Sequence, residues 1–169
     1  MIMHRFLDID GLRVFVRQAG DPNAPAIVLL HGFPSSSHMF RDLIPLLADH
    51  FRVIAPDMIG FGHSDAPPAE RFAYTFDALT AVTRKVLERL EVPSYVLYMH
   101  DYGGPVGLRL ATAAPERVHG LVVQNANAYM EGVSDAVAGL FMPLWRERNE
   151  ATVGAARGFL TAAPDDGGE

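Results

Sequence analysis

The chain contains no cysteine. That excludes a disulfide framework, a thiolate metal site and any redox chemistry resting on thiols, and it is compatible with a reducing compartment. Positive charge is also scarce. Lys and Arg total 14 against 20 Asp and Glu, for a formal net charge of −6, and no basic stretch rises above scattered residues. A nucleic acid or an acidic membrane surface is therefore excluded as a partner, and small-molecule chemistry suits the balance better. No apolar run approaches the roughly 20 residues of a membrane-spanning helix. Met1–Asp8 alternates apolar and polar residues and carries charge too early for a signal peptide. The expectation is a cytoplasmic protein with no membrane attachment. There are no internal repeats, and 169 residues suit one principal domain able to bury a real core.

What is present is organised around Val96–Leu108, where a short apolar run ends at His100-Asp101-Tyr102-Gly103-Gly104 and resumes with helical spacing through Leu108, Leu110 and Ala111. This reads as a strand, a sharp turn and a helix. A side chain at such a turn is lifted above the end of a sheet, beside the positive end of a helix and the backbone N–H groups that follow it. Asp101 occupies the position. Taken alone, the same residues also suit a strand-end Asp that caps the next helix.

Around this stretch the pattern alternates strand and helix. Met3–Ile9 and Leu12–Arg17 flank Asp10-Gly11, the preferred chemistry of a two-residue hairpin turn. Ala26–Leu30 is uninterruptedly apolar, as expected of a strand covered on both faces. His31-Gly32-Phe33-Pro34 follows, then a serine cluster that caps a helix bearing Met39, Phe40, Leu43, Ile44, Leu46 and Leu47, with a kink expected at Pro45. Arg52–Ala55 is the fourth strand. The loop after it, Asp57-x-x-Gly60-x-Gly62-x-Ser64, lacks the third glycine and the following helix of a dinucleotide fingerprint, and reads as scaffold. Thr75 caps a helix with Leu79, Val82, Val86, Leu87 and Leu90 on one stripe, and Val118–Val123 is the sixth strand. Gly132–Trp145 and Asn149–Leu160 read as two helical pieces broken at Pro143, and the acidic, glycine-rich residues from Pro164 onward as a disordered tail.

Three motifs thus stand in order: His31-Gly32-Phe33-Pro34, Asp57 to Ser64, and His100-Asp101-Tyr102-Gly103. Together they resemble the α/β-hydrolases with an aspartate nucleophile, the epoxide hydrolases and haloalkane dehalogenases. In the nucleophile elbow Gly-x-Ser-x-Gly, Asp here replaces Ser and Met99 replaces the first Gly. The resemblance implies an α/β fold, the N-terminal part of that family's domain, with about six mostly parallel strands in the order 1-2-4-3-5-6 flanked by helices. It divides the chain into a core over 1–131, the start of a helical cap over 132–161 and the tail over 162–169. It implies Asp101 as nucleophile, the backbones of Phe33 and Tyr102 as an oxyanion hole, and His31, Gly32, Pro34, His100 and Tyr129 as residues lining the substrate. A cis Phe33-Pro34 bond is also implied, and neither cofactor nor metal is.

The family's acid and histidine lie beyond the elbow. The only later histidine, His119, falls at the start of the sixth strand, Asn125 stands where some relatives place the acid, and Glu131 is a nearby substitute. The resemblance therefore implies a truncated hydrolase, forming an ester on Asp101 but lacking a base to hydrolyse it. A small apolar epoxide is the preferred substrate and an alkyl halide the alternative, because Tyr102 and Phe33 replace the Trp and the Asn or Glu that hold a departing halide in dehalogenases. A non-catalytic binding module and an inert fragment remain as other classes. With no seventh strand, an exposed sixth-strand edge is expected to support a homodimer.

Overall fold

The computed structural model describes residues 1–161 and forms two compact units, Met1–Ala128 and a second from Tyr129 onward. The tail expected over 162–169 lies outside the described residues.

The first unit is a six-stranded sheet: β1 (Met3–Ile9), β2 (Leu12–Ala19), β3 (Ala26–Leu30), β4 (Arg52–Pro56), β5 (Tyr95–His100) and β6 (Val118–Gln124), in the spatial order β1-β2-β4-β3-β5-β6. The order is the one expected. β1 and β2 pair antiparallel around Asp10 and Gly11, both in the left-handed region at φ 54° and 81°, which the right-handed twist of a two-residue hairpin requires. β2 pairs antiparallel with β4, and every pairing among β4, β3, β5 and β6 is parallel.

All five residues of β3 are buried, because apolar clusters lie on both faces of the sheet. On one face Val28, Leu30, Ile54, Leu97 and Met99 pack with residues of α2 (Phe76–Arg89) and α3 (Gly103–Ala113). On the other, Ile27, Leu29, Val53 and Ala55 pack with Phe40 and with Ile44 of α1 (Leu43–Leu47). Thr75 caps α2 by accepting from the Ala78 N–H, as expected.

Two helical expectations are corrected. Residues 37–47 are not one kinked helix: Ser36 caps a short 3-10 turn, Ser37–Phe40, and α1 begins separately at Leu43. Restarting there places Pro45 in the first turn of α1, where its missing N–H forfeits no bond. In the second unit Pro143 does not break its helix. α4 (Asp135–Arg146) continues through it for a further turn, and the chain departs only at Glu147, whose backbone is extended at φ −148° and ψ 119°, before α5 (Glu150–Thr161). So close to the end of α4, the proline removes a single i→i−4 bond.

The two sheet edges differ. β1 presents charged Arg5 and Asp8, whereas β6 carries no Asp, Glu, Lys or Arg and leaves Leu121, Val122 and Val123 exposed at 47%, 43% and 56%. Among the described residues no strand pairs with the outer edge of β6, and apolar edges of this kind template pairing with another chain. The 169-residue polypeptide is expected to self-associate through β6 in sedimentation experiments, and Val122→Lys to shift it to monomer. A wild type that stays monomeric at high concentration would contradict this.

Candidate active site

The sheet's topology brings the ends of β3 and β5 side by side, in register from Ile27–Val96 to Leu30–Met99. The chain leaves both strands at the same edge, so His31-Gly32-Phe33-Pro34 and His100-Asp101-Tyr102 meet. Asp101 sits at the turn between β5 and α3 with φ 49°, a strained backbone for a non-glycine residue, of the sort that persists where neighbouring structure enforces it. The enforcing contacts are on both sides. Its carbonyl accepts from the Gly104 N–H at 2.8 Å, and its carboxylate Oδ1 accepts from the Phe33 N–H and the Tyr102 N–H, each at 2.7 Å. Among the described residues nothing donates to Oδ2. One oxygen is fixed between two backbone dipoles and the other has no donor among the described residues.

Gly32 makes this approach possible. A Cβ there would stand 2.3 Å from the Asp101 Cβ and 2.7 Å from Oδ1, so any side chain displaces the carboxylate from its donors. The Phe33–Pro34 peptide is cis and Pro34 is exposed, while Phe33 and Tyr102 are half-buried.

His31 does not line the site as an accessible side chain. It is fully buried, its Nε2 accepts from the Met58 N–H at 3.0 Å, and its Nδ1 donates to the Gly32 carbonyl at 3.0 Å. The ring therefore holds the loop after β4 against the peptide that carries the Phe33 donor. Burial pushes its pKa below the ordinary 6.5, outweighing the opposing effects of the Gly32 hydrogen bond and of the Asp57 and Asp101 charges. His100 is also committed. It lies on the opposite face of β5 from Leu97 and Met99, with Nδ1 donating to the Gln124 carbonyl at 3.1 Å. Tyr129 is exposed and belongs to the second unit.

Asp57, fully buried, organises the long loop: Oδ1 accepts from the Ser37 N–H at 2.7 Å, Oδ2 from the His63 N–H at 2.9 Å, and its carbonyl from the Ser64 hydroxyl at 2.7 Å. Those bonds fold Phe61 toward Asp101's neighbours, a placement that the sequence reading missed. Phe33 and Tyr102 stack at 5.4 Å and 29°, with Phe61 edge-on to both at 6.2 and 6.5 Å and Phe76 edge-on to Tyr102 at 5.1 Å. The aromatic wall beside the carboxylate thus draws on four separate stretches of chain. The glycines flanking Phe61 were the available signal; for Phe76 there was none beyond its place at the start of α2. Among the described residues, no cluster of three or more His, Asp or Glu side chains could hold a metal ion, and no helix is long and apolar enough to cross a membrane.

A strand-turn-helix elbow at the end of the fifth strand, facing a backbone donor from the end of the third, defines the hydrolase class of α/β protein. Residues 25–161 match the family model of the alpha/beta hydrolase fold, and the chain belongs to that family. It is 46% identical over 143 residues to an uncharacterized hydrolase of Saccharomyces cerevisiae, covering 85% of this chain and 49% of that protein. Among solved structures it is similar to the haloalkane dehalogenase DbeA from Bradyrhizobium elkani USDA94, with TM-score 0.83, 27% identity, and coverage of 96% of this chain and 57% of that one. It is also similar to the epoxide hydrolase CorEH, with TM-score 0.72, 27% identity, and coverage of 86% and 51% respectively. The chain thus spans about half the length of each.

Two outcomes are expected from this geometry. Gly32→Ala should displace Asp101 and lower its reactivity toward alkylating reagents by about 10²-fold or more, the scale of losing an aligned donor, while costing about 1–3 kcal/mol of stability through overpacking; stopped-assay labelling and thermal melts read the two. The neutral His31 sets a pH dependence. With the folded pKa below 6.5, the unfolded chain binds the proton first, so stability is full above pH 6.5 and declines as pH falls from there to the lowered folded value. Melting temperatures between pH 8 and 5 should show a step that His31→Gln removes.

Proposed function

We propose that Asp101 is a nucleophile that attacks an sp³ carbon of a small apolar epoxide. One observation carries this reading: Oδ1 rests in a pair of backbone N–H donors at 2.7 Å while Oδ2 has no donor among the described residues. In the first step Oδ2 forms a bond to the less hindered epoxide carbon, the C–O bond of the ring breaks, and the ring oxygen takes a proton from water. The product is an ester in which Oδ1 is the carbonyl oxygen. In the second step water adds to that carbonyl carbon, and the charge that develops on Oδ1 falls where the Phe33 and Tyr102 N–H groups already point. Collapse of the adduct releases a diol and restores the carboxylate.

The aromatic wall favours an apolar body on the substrate. An alkyl halide is the second reading, supported by the similarity to DbeA; against it, Phe33 and Tyr102 bring rings rather than indole or amide N–H groups to the flanks of the nucleophile, and a departing halide needs such donors.

The two steps separate in the 169-residue chain. His31 has both ring nitrogens engaged, His100 faces away across the sheet, and His119 begins β6 at the end remote from the elbow. General-base assistance is worth about 10²- to 10⁴-fold, so the ester accumulates. Incubation with a terminal alkyl epoxide, followed by peptide mass spectrometry, is expected to find at most one equivalent added, at Asp101, and none in Asp101→Asn. Sustained diol production by the purified chain would refute the separation of steps. No adduct with either the epoxide or an alkyl bromide would refute the nucleophile.

A further inference from the structure

On the β1–β2 hairpin, beside the Asp57 loop, lies a cationic group that the proposed chemistry does not use. Arg17 of β2 is 8% exposed, yet among the described residues no Asp or Glu forms an ion pair with it. A nearly buried guanidinium without a carboxylate is unusual, since the desolvation of a charge is ordinarily met by pairing. The protein fixes it instead with neutral acceptors. Nε donates to the Ser37 hydroxyl at 3.1 Å, Nη1 donates to Nε2 of His4, its cross-strand partner, at 2.9 Å, and the guanidinium carbon lies 5.2 Å from the centre of the Phe15 ring.

Those bonds use two of the five N–H donors of the group. They leave both N–H groups of Nη2 and one of Nη1 without a protein acceptor among the described residues. The one carboxylate joined to the same network, Asp57, is fully buried behind Ser37, with Oδ1 taken by the Ser37 N–H and Oδ2 by the His63 N–H. It offers those N–H groups no acceptor. The surroundings are aromatic. His4, His63 and Phe6 all lie against Phe15, at 5.5, 4.9 and 5.3 Å between ring centres, and Phe6, 52% exposed, has the Arg13 guanidinium carbon 5.1 Å from its ring centre. The remaining carboxylate nearby, Asp65, is held by the Arg13 backbone N–H at 2.8 Å and by the Arg13 side chain.

We propose that this face binds a small carboxylate bearing an apolar body, its two oxygens on the Arg17 fork and its body along Phe6. Planar bidentate pairing is the geometry that a guanidinium recognises best, and a fork held by Ser37 and His4 is ordered before the ligand arrives, which lowers the cost of binding. The site is separate from Asp101 and does not depend on its role.

The test is a titration of the ¹⁵N-labelled full chain with sodium benzoate at constant ionic strength, with benzamide and inorganic phosphate as parallel arms. Saturable shifts of the Arg17 Nε–H, His4 and Phe15 signals are expected with benzoate, weaker ones with phosphate, and none with neutral benzamide. Arg17→Gln should weaken benzoate about tenfold or more, as for a hydrogen bond to a charged group, and Arg84→Gln, a surface change on α2, by no more than about twofold. Arg17→Lys, which keeps the charge and loses the fork, should also weaken it and serves where Arg17→Gln does not fold. Shifts that fail to saturate, shifts confined to Phe33, Phe61 and Tyr102, or equal binding of benzamide would overturn the site. Phosphate binding with benzoate silent would overturn the carboxylate assignment.

Discussion

The constraint on which the rest of this structure depends is the meeting of one carboxylate oxygen with two backbone N–H groups from different strands. Asp101 Oδ1 accepts from Phe33 beyond β3 and from Tyr102 beyond β5, so the two strands must be neighbours, parallel and in a register that ends them level. Ile27–Leu30 against Val96–Met99 supplies this. The glycine at 32 is a consequence, because a single methyl group would occupy the space of the carboxylate. So is the buried histidine. A neutral ring at 31 can accept from Met58 and donate to Gly32 at once, which a charged ring cannot do, and burial keeps it neutral.

Asp57 and Asp101 show how environment distinguishes two carboxylates at the ends of the two strands that flank β3. Asp57 is fully buried, and both of its oxygens accept from loop N–H groups; it is spent on holding the loop. Asp101 is half-buried with only one oxygen engaged. A free, positioned oxygen beside an aromatic wall is chemically available in a way that a fully satisfied one is not. Arg17 stands at the far side of the same network, reached through Ser37, so that a single buried loop organises both the elbow's surroundings and the hairpin face.

The sequence alone determined the strands, their α/β alternation and the elbow. Uninterrupted apolar residues from 26 to 30 could be satisfied only by a strand covered on both faces, and Asp10-Gly11 only by a tight hairpin turn. The family resemblance carried by the three motifs then gave the strand order and the triplet of Phe33, Asp101 and Tyr102. Local patterning was weaker where proline was concerned. It signals a break at Pro45 and Pro143 alike, but a proline in a first turn or near a last turn costs a helix little, and tertiary packing chose those positions.

Tertiary structure decided what no local pattern encodes. That Phe61 and Phe76, separated from Tyr102 by long stretches of chain, gather around it follows from the Asp57 hydrogen bonds and from how α2 lies on the sheet. That His31 is internal, rather than facing a substrate, follows from Met58 arriving beside it from β4. That no carboxylate among the described residues pairs with Arg17 is visible only in the folded structure. Periodicity and turn chemistry act between residues close in sequence, whereas side-chain surroundings are set by which strands pair, and that choice is made by the chain as a whole.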